Sequence, residues 1–172
     1  MEIILLKAPT EKDWLEVKRR ALVTVGKSPV KAPDSRWKHK ILEARHSPIR
    51  YLVYSYYIEG VPYWVSTHLV RHHEGFQPFV KSQRNDRQDE YDRNTAPQNA
   101  PVDMIIDINA EALMVLANKR LCAQAAQETR EVVRQMCSLA EKATPEFEGL
   151  LVPACEYYGG HCHEMYPCGR YV

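Results

Sequence analysis

Apolar residues follow alternating strand and helix patterns through the first half of the chain. The apolar run at 3–6 predicts a short strand, and apolar residues at helical spacing over 10–25 predict a helix with Thr10 as its N-cap. A connector rich in proline and lysine follows, and a second short helix is predicted to end near Arg45. β-Branched and aromatic residues over 46–60 then predict a longer strand.

The pattern becomes helical after that strand. Pro62 opens the segment 62–73, which contains no glycine and is predicted to form a helix. A polar, highly charged stretch over 81–101 is predicted to be mostly loop. The segment 108–143 predicts one long helix that begins at the N-cap Asn109. Its apolar stripe consists of Ala110, Leu113, Met114, Ala117, Leu121, Val132, Met136, Leu139 and Ala140.

The length and composition fit one domain that spans residues 1–172, with a Cys- and His-rich extension at 154–172. The chain is 45% hydrophobic and 26% charged, as in an ordinary soluble domain. Its net charge of +1 gives no general attraction to nucleic acid or membranes. Apolar runs stay well below the ~20 residues of a membrane span, so we expect a cytoplasmic protein with reduced cysteines.

Histidine and arginine cluster at the end of the predicted helix 62–73. On a helix, His68, Arg71 and His72 would share one face, with His73 about a quarter turn away. The two histidines could bind a metal, although the charge of Arg71 opposes it; the cluster could also be a plain polar surface. The third interpretation is an anion pocket, because a guanidinium and pivoting imidazoles suit phosphate oxygens.

The cluster and a later helix together resemble the flavin-dependent thymidylate synthases (ThyX). That family has an R-H-R motif, a short spacer and S-x-R-Y; here the corresponding stretches are "RHH" and "SQRN". The later helix of the family begins near an asparagine and has an arginine eleven residues on, which Asn109 and Arg120 match without a gap. The chain departs from the family where His73 replaces the second arginine, Asn85 the tyrosine, and Tyr51 an upstream histidine.

The resemblance implies an α+β fold in which helices pack on a mostly antiparallel sheet. It also implies a homotetramer whose active sites are shared between subunits. The implied reaction is the reductive methylation of dUMP at C5, with FAD as the cofactor and with NADPH and methylenetetrahydrofolate as co-substrates. The flavin performs the redox chemistry in such an enzyme, while the protein orients ligands and stabilises charge.

The resemblance also implies roles for individual residues. Flavin binding falls to Arg71, His72, His73 and Asn109, and substrate binding falls to His68, Ser82, Gln83, Arg84 and Arg120. Catalysis is assigned to Arg120 and Ser82, where the guanidinium would stabilise negative charge on the pyrimidine ring. The segment Ser82–Arg84 would hold the nucleotide phosphate in the site of a neighbouring subunit.

The tail contains a second set of candidate ligands. Cys155, Cys162, Cys168 and His163 could complete a tetrahedral zinc site, although gaps of six and five residues are wider than those of a zinc knuckle. The same thiols could form a redox-active disulfide, or fill space under a tyrosine-packed lid.

Two further functions stay open beside the thymidylate synthase reaction. The first is a flavin- or nucleotide-binding relative that performs another pyrimidine C5 modification, such as hydroxymethylation, or no catalysis. The second is a small zinc-containing interaction domain in which the histidine cluster is only surface. Bound flavin would separate the enzyme from the interaction domain.

Overall fold

Four antiparallel strands form one sheet with the order β1-β2-β4-β3. The computed structural model describes residues 1–28, 31–88 and 91–171. The strands are β1 (Glu2–Lys7), β2 (Val53–Pro62), β3 (Phe76–Val80) and β4 (Pro101–Asn109). The helices are α1 (Glu11–Val23), α2 (Ser35–Glu43), α3 (Tyr63–Leu69), α4 (Ala110–Arg120), α5 (Gln127–Ala143) and the single turn α6 (Ala154–Tyr157). The predicted α+β class with an antiparallel sheet is confirmed.

One face of the sheet forms the core because side chains alternate along each strand. Tyr54, Tyr56 and Ile58 of β2 are fully buried on that face. The Tyr54 hydroxyl hydrogen-bonds with the Thr144 hydroxyl at 2.8 Å, and the Tyr56 hydroxyl donates to the Met136 carbonyl at 3.1 Å. These bonds satisfy two buried polar groups and fix α5 against the sheet.

The opposite face of the sheet carries one continuous row of apolar side chains. Ile4 pairs with Tyr57, Tyr57 with Ile105, and Ile105 with Phe79, so the row crosses all four strands. Ile4 is 42% exposed, Ile105 36% and Phe79 60%. We refer to these four residues as the sheet-face row.

Several boundaries differ from the sequence prediction. Helix α3 ends at Leu69, so His68, Arg71 and His72 do not share one helix face. The predicted long helix is two helices, α4 and α5, with an irregular connection at 121–126. In that connection the Arg130 side chain donates to the carbonyls of Ala123 (2.8 Å) and Ala125 (3.0 Å), which satisfies them outside a helix.

The strands β3 and β4 are absent from the sequence prediction. Pro78 lies inside β3 and discourages a strand assignment, yet β3 is an edge strand, where proline is tolerated. β4 runs into α4 without any turn residue between them, which conceals it in front of the helical pattern. Both elements matter for function, because they bring the loop before β3 next to the start of α4.

Within the described residues, no helix is both long and apolar enough to span a membrane.

Candidate active site

The loop Arg71–Gly75 lies between the end of α3 and the start of β3, and it borders a large cavity. The His72 amide donates to the Leu69 carbonyl at 3.1 Å, which turns the chain sharply after the helix. The cavity has a volume of about 770 Å³ and lies between this loop and the first turns of α4. Its polar lining consists of Arg50, Arg71, His72, His73, Glu74, Asn109 and Glu111.

Gly75 and Asn109 fix the loop to the start of α4. Gly75 has a φ of +68°, and its carbonyl accepts a hydrogen bond from the Asn109 amide at 2.9 Å. A Cβ atom at position 75 would lie 2.1 Å from Asn109 Nδ2. The Asn109 Oδ1 atom caps α4 by accepting from the Ala112 amide at 2.9 Å, as the sequence predicts. Only glycine therefore allows this close approach.

The charges around the cavity leave one arginine available to a ligand. Arg50 forms an ion pair with Glu111 across the cavity. Arg71 is exposed and has no ion pair in the part of the chain that the structure describes. A free guanidinium beside imidazoles and an asparagine amide is a donor set that suits phosphate or carbonyl oxygens.

Arg120, at the end of α4, reaches back to the residues that flank the loop. Its Nε atom donates to His72 Nε2 at 3.0 Å, and its Nη2 atom donates to the His68 carbonyl at 3.1 Å. Both acceptors are uncharged, so they hold the guanidinium in place without neutralising its charge. Burial, and then the nearby Arg71, lower the pKa of Arg120, as expected for a cation whose partners are neutral.

The imidazole of His72 is neutral at physiological pH. Burial, then the positive charge of Arg120, lower the pKa of His72 to about 4. Because Nε2 accepts the hydrogen bond from Arg120, the proton must lie on Nδ1. The pKa of the His68 side chain is lowered by the same two causes, and its Nδ1 hydrogen-bonds with the buried Thr129 hydroxyl at 3.2 Å.

The depressed pKa of His72 makes the stability of the fold depend on pH. Between pH 6.5 and about 4 the unfolded chain binds the proton and the folded chain does not, so the free energy of unfolding falls as pH is lowered through this window. We expect urea unfolding at several pH values to show that the free energy of unfolding falls less over this pH window for His72→Gln than for the unchanged protein. Parallel curves for the two proteins would contradict a neutral, half-buried His72.

The segment Ser82–Arg84 does not line the same cavity as Arg71. Ser82 and Gln83 border a separate cavity of about 530 Å³, beside the start of β4. Arg84 is engaged by Asp86, to which its Nε donates at 2.8 Å and its Nη2 at 2.5 Å. The chain therefore presents the two halves of the predicted motif on two surfaces.

The tail does not form the predicted zinc site. All five cysteines are free, and in residues 1–28, 31–88 and 91–171 no three His, Cys, Asp or Glu side chains are grouped so that they could hold a metal ion. This finding covers Cys155, Cys162, Cys168 and His163. The segment 158–171 is irregular apart from glycine-containing turns, and although these four side chains line one cavity, they are not grouped closely enough to hold an ion.

Sequence reasoning missed three residues that shape this site. Arg50 and Glu111 form an ion pair on the cavity wall, and Thr129 holds His68 from α5. Their partners are distant in sequence, so no local spacing could reveal them. The sequence does show that Glu111 lies in the first turn of α4, but this position predicts only a favourable interaction with the helix dipole.

Comparisons with known proteins point to one family. The family described as thymidylate synthase complementing protein matches residues 85–146. Among solved structures, Helicobacter pylori ThyX with FAD and dUMP has a TM-score of 0.67 at 17% identity, covering 88% of this chain and 97% of that one. A second H. pylori ThyX structure with FAD and dUMP has a TM-score of 0.68 at 17% identity, covering 87% and 99%. A sequence search among curated proteins finds no match.

These matches establish the fold. The chain has the fold of the flavin-dependent thymidylate synthases across most of its length. The resemblance predicted from "RHH", "SQR" and the Asn109–Arg120 spacing is thereby confirmed.

Proposed function

We propose that this chain is a cytoplasmic, FAD-dependent thymidylate synthase-like enzyme that methylates dUMP at C5. NADPH would supply the hydride and methylenetetrahydrofolate the one-carbon unit. The observation that supports this most is the cavity beside Arg71, with the uncompensated cation of Arg120 behind His72, on a fold that binds FAD and dUMP in H. pylori ThyX.

The residues around the cavity fit an FAD molecule. Arg71 and His73 offer donors for the diphosphate, and Asn109 offers an amide at the start of α4. Glu111 would repel phosphate, but its ion pair with Arg50 offsets that charge. FAD, when bound, would supply the hydride-transfer chemistry that no side chain of this protein can provide.

Arg120 would stabilise the negative charge that develops on the pyrimidine ring. A fixed cation with neutral partners keeps its full field for the reacting ligand, and it needs no reorganisation during the reaction. His72 acts here as a positioning residue, since its Nε2 lone pair holds the Arg120 Nε–H in one direction.

Ser82, Gln83 and Arg84 would hold the nucleotide phosphate in the site of a neighbouring subunit, with Ser82 close to the reacting ring. The separation of this segment from the Arg71 cavity supports a shared site, since one subunit would then hold only half of the ligands. The loop also carries the donors that such a role needs, a hydroxyl, an amide and a guanidinium.

The ion pair of Arg84 with Asp86 gives opposite expectations for two variants. Arg84→Ala should weaken dUMP binding at least tenfold, because a charge-assisted hydrogen bond contributes about 1.5–3 kcal/mol, and should change FAD binding little. Asp86→Asn should strengthen dUMP binding severalfold, because it removes the carboxylate that competes with the phosphate. Calorimetric titration with dUMP measures both. If Arg84→Ala weakened FAD binding as much as dUMP binding, the two halves of the motif would be wrongly assigned.

Shared sites require an oligomer, and we expect a homotetramer. The sheet-face row leaves four apolar side chains in contact with solvent, and a second copy of the chain could cover it. Sedimentation at micromolar concentration should give a tetrameric mass, and Phe79→Glu should lower it while leaving the far-UV CD spectrum unchanged. A monomer for the unchanged protein would contradict shared sites.

The first test of the proposed function is the visible spectrum of the purified protein. Stoichiometric FAD, followed by NADPH oxidation that requires both dUMP and methylenetetrahydrofolate, is the expected result. NADPH oxidation that requires a nucleotide but not dUMP would favour a different C5 modification. A colourless protein that cannot be reconstituted with FAD would refute the flavoenzyme and leave a binding protein with this fold.

A further inference from the structure

A second cavity lies under the C-terminal tail, on the solvent side of α4. Its volume is about 430 Å³, within the range of small-molecule sites. The walls come from three places in the chain: the end of α2, the second half of α4 with the connection after it, and the tail from Pro153 onward. None of the candidate flavin- and nucleotide-binding residues of the motif lines this cavity.

Arg45 is the most unusual residue of this cavity. It is the one residue other than glycine with a positive φ (48°) among the described residues. It follows the last turn of α2 at a position where glycine would be unstrained. Strained backbone of this kind clusters at functional sites, which makes the Arg45 side chain a candidate for ligand binding.

The side chain of Arg45 is held in place without a counter-charge. Its Nη2 atom donates to the Asn118 side chain, and its guanidinium stacks over the Tyr157 ring at 4.1 Å from the centroid. Its Nε atom is buried without a hydrogen-bond partner. In the part of the chain that the structure describes, Arg45 forms no ion pair with a carboxylate.

Two more cations and an aromatic wall complete the cavity. Lys119 contacts Glu164 only loosely, at 3.9 Å, and Arg170 pairs with Glu156. Tyr158 and Tyr171 provide flat apolar surface, and four reduced cysteines add small, weakly polar groups. The cavity therefore offers both positive charge and ring-stacking surface.

The cavity adjoins the candidate flavin cavity. Val115, on the exposed side of α4, lines both of them. A ligand anchored under the tail could thus extend along α4 toward the Arg71 loop.

We infer that the tail cavity binds the anionic end of a ring-bearing co-substrate, with Arg45 as its anchor. This inference rests on the proposed function, because it identifies the ligand from the co-substrates of that reaction. The shared chemistry is a carboxylate or phosphate attached to an aromatic ring system. A folate carries carboxylates and a nicotinamide dinucleotide carries phosphates, so the test must distinguish the two.

The test is calorimetric titration of the full chain under reducing conditions, with three probes. The probes are 5-formyltetrahydrofolate, NADPH and 6-methylpterin, the last having a ring but no anionic group. One of the two anionic probes should bind at one site per chain, and 6-methylpterin at least tenfold more weakly. The probe that binds identifies the carboxylate or the phosphate source.

Two variants of the cavity and one control locate the binding. Arg45→Gln should weaken the binding of the anionic probe at least tenfold. Lys119→Ala, an exposed position, should weaken it severalfold without changing the unfolding curve. Lys142→Ala, exposed on α5, should leave it unchanged. Failure of both anionic probes to bind, or equal binding to all three variants, would overturn the inference.

FAD retention, read from the visible spectrum, separates this inference from the proposed function. All three variants should retain as much FAD as the unchanged protein. Loss of FAD from the unchanged protein, with Arg45-dependent probe binding intact, would refute the flavoenzyme and keep the tail site. FAD retention without probe binding would refute the tail site alone.

Discussion

Replacing Gly75 with alanine should lower the free energy of unfolding by about 2–3 kcal/mol and abolish stoichiometric flavin binding. The left-handed backbone alone costs a residue with a Cβ about 1–2 kcal/mol. The new Cβ would also lie 2.1 Å from Asn109 Nδ2, so the Asn109 side chain must move and lose its cap of α4, at about 1 kcal/mol. Chemical denaturation measures the first effect, and FAD titration the second.

Gly26 provides a matched control for this substitution. It has nearly the same φ, +67°, but a Cβ there would meet no atom within 4 Å. Gly26→Ala should therefore lower the free energy of unfolding only by the backbone cost of about 1–2 kcal/mol, and it should bind as much FAD as the unchanged protein. In addition, Gly75→Ala should cost less in an Asn109→Gly background, where the clash is absent and the cap is nearly preserved. Equal destabilisation by Gly26→Ala and Gly75→Ala would show that the contact with Asn109 is unimportant.

Replacing Arg120 with lysine or methionine should lower the rate of dUMP methylation by about 10²–10³-fold, the usual effect of losing a preorganised charge stabiliser. Lysine keeps the charge but cannot donate to His72 Nε2 and the His68 carbonyl from one rigid plane. FAD binding should change by less than fivefold, because Arg120 does not line the cavity proposed for flavin. Single-turnover kinetics with the FAD-loaded protein measures the chemical step.

Arg134→Ala is the matched control for Arg120. Arg134 lies on the exposed side of α5, and among the described residues it pairs only with Glu131. We expect its variant to keep full activity and stability. If Arg120→Lys methylated dUMP at the rate of the unchanged protein, the role proposed for the guanidinium would be wrong.

Much of the fold follows from the sequence because its elements satisfy local rules. A few neighbouring residues are enough to predict both the alternation of buried and exposed side chains along β2 and the N-cap of α4 at Asn109. β4 could not be predicted from the sequence, because an apolar strand that runs directly into an apolar helix shows no change of pattern at the boundary. The break between α4 and α5 also lacks a Gly or Pro signal, since Arg130 stabilises it from the following helix.

The candidate site was predictable only in part. Arg71, His72, His73 and Asn109 do converge on one cavity, because the pairing of β3 with β4 brings their segments together. His68 contributes its carbonyl to Arg120 and its ring to Thr129, two contacts that a motif cannot specify. The position of Ser82–Arg84 on another surface likewise depends on strand register rather than on spacing.

The hydrogen bond from the Asn109 amide to the Gly75 carbonyl has a consequence for how such chains change length. It joins the two ends of the segment that contains β3, the polar connection and β4. The described parts of the connection, 81–88 and 91–100, lie at the far end of this closed loop, away from the junction. Insertions or deletions there should alter the outer surface while the junction keeps its shape, so the segment proposed to meet a neighbouring subunit could change without changing the cavity proposed for flavin.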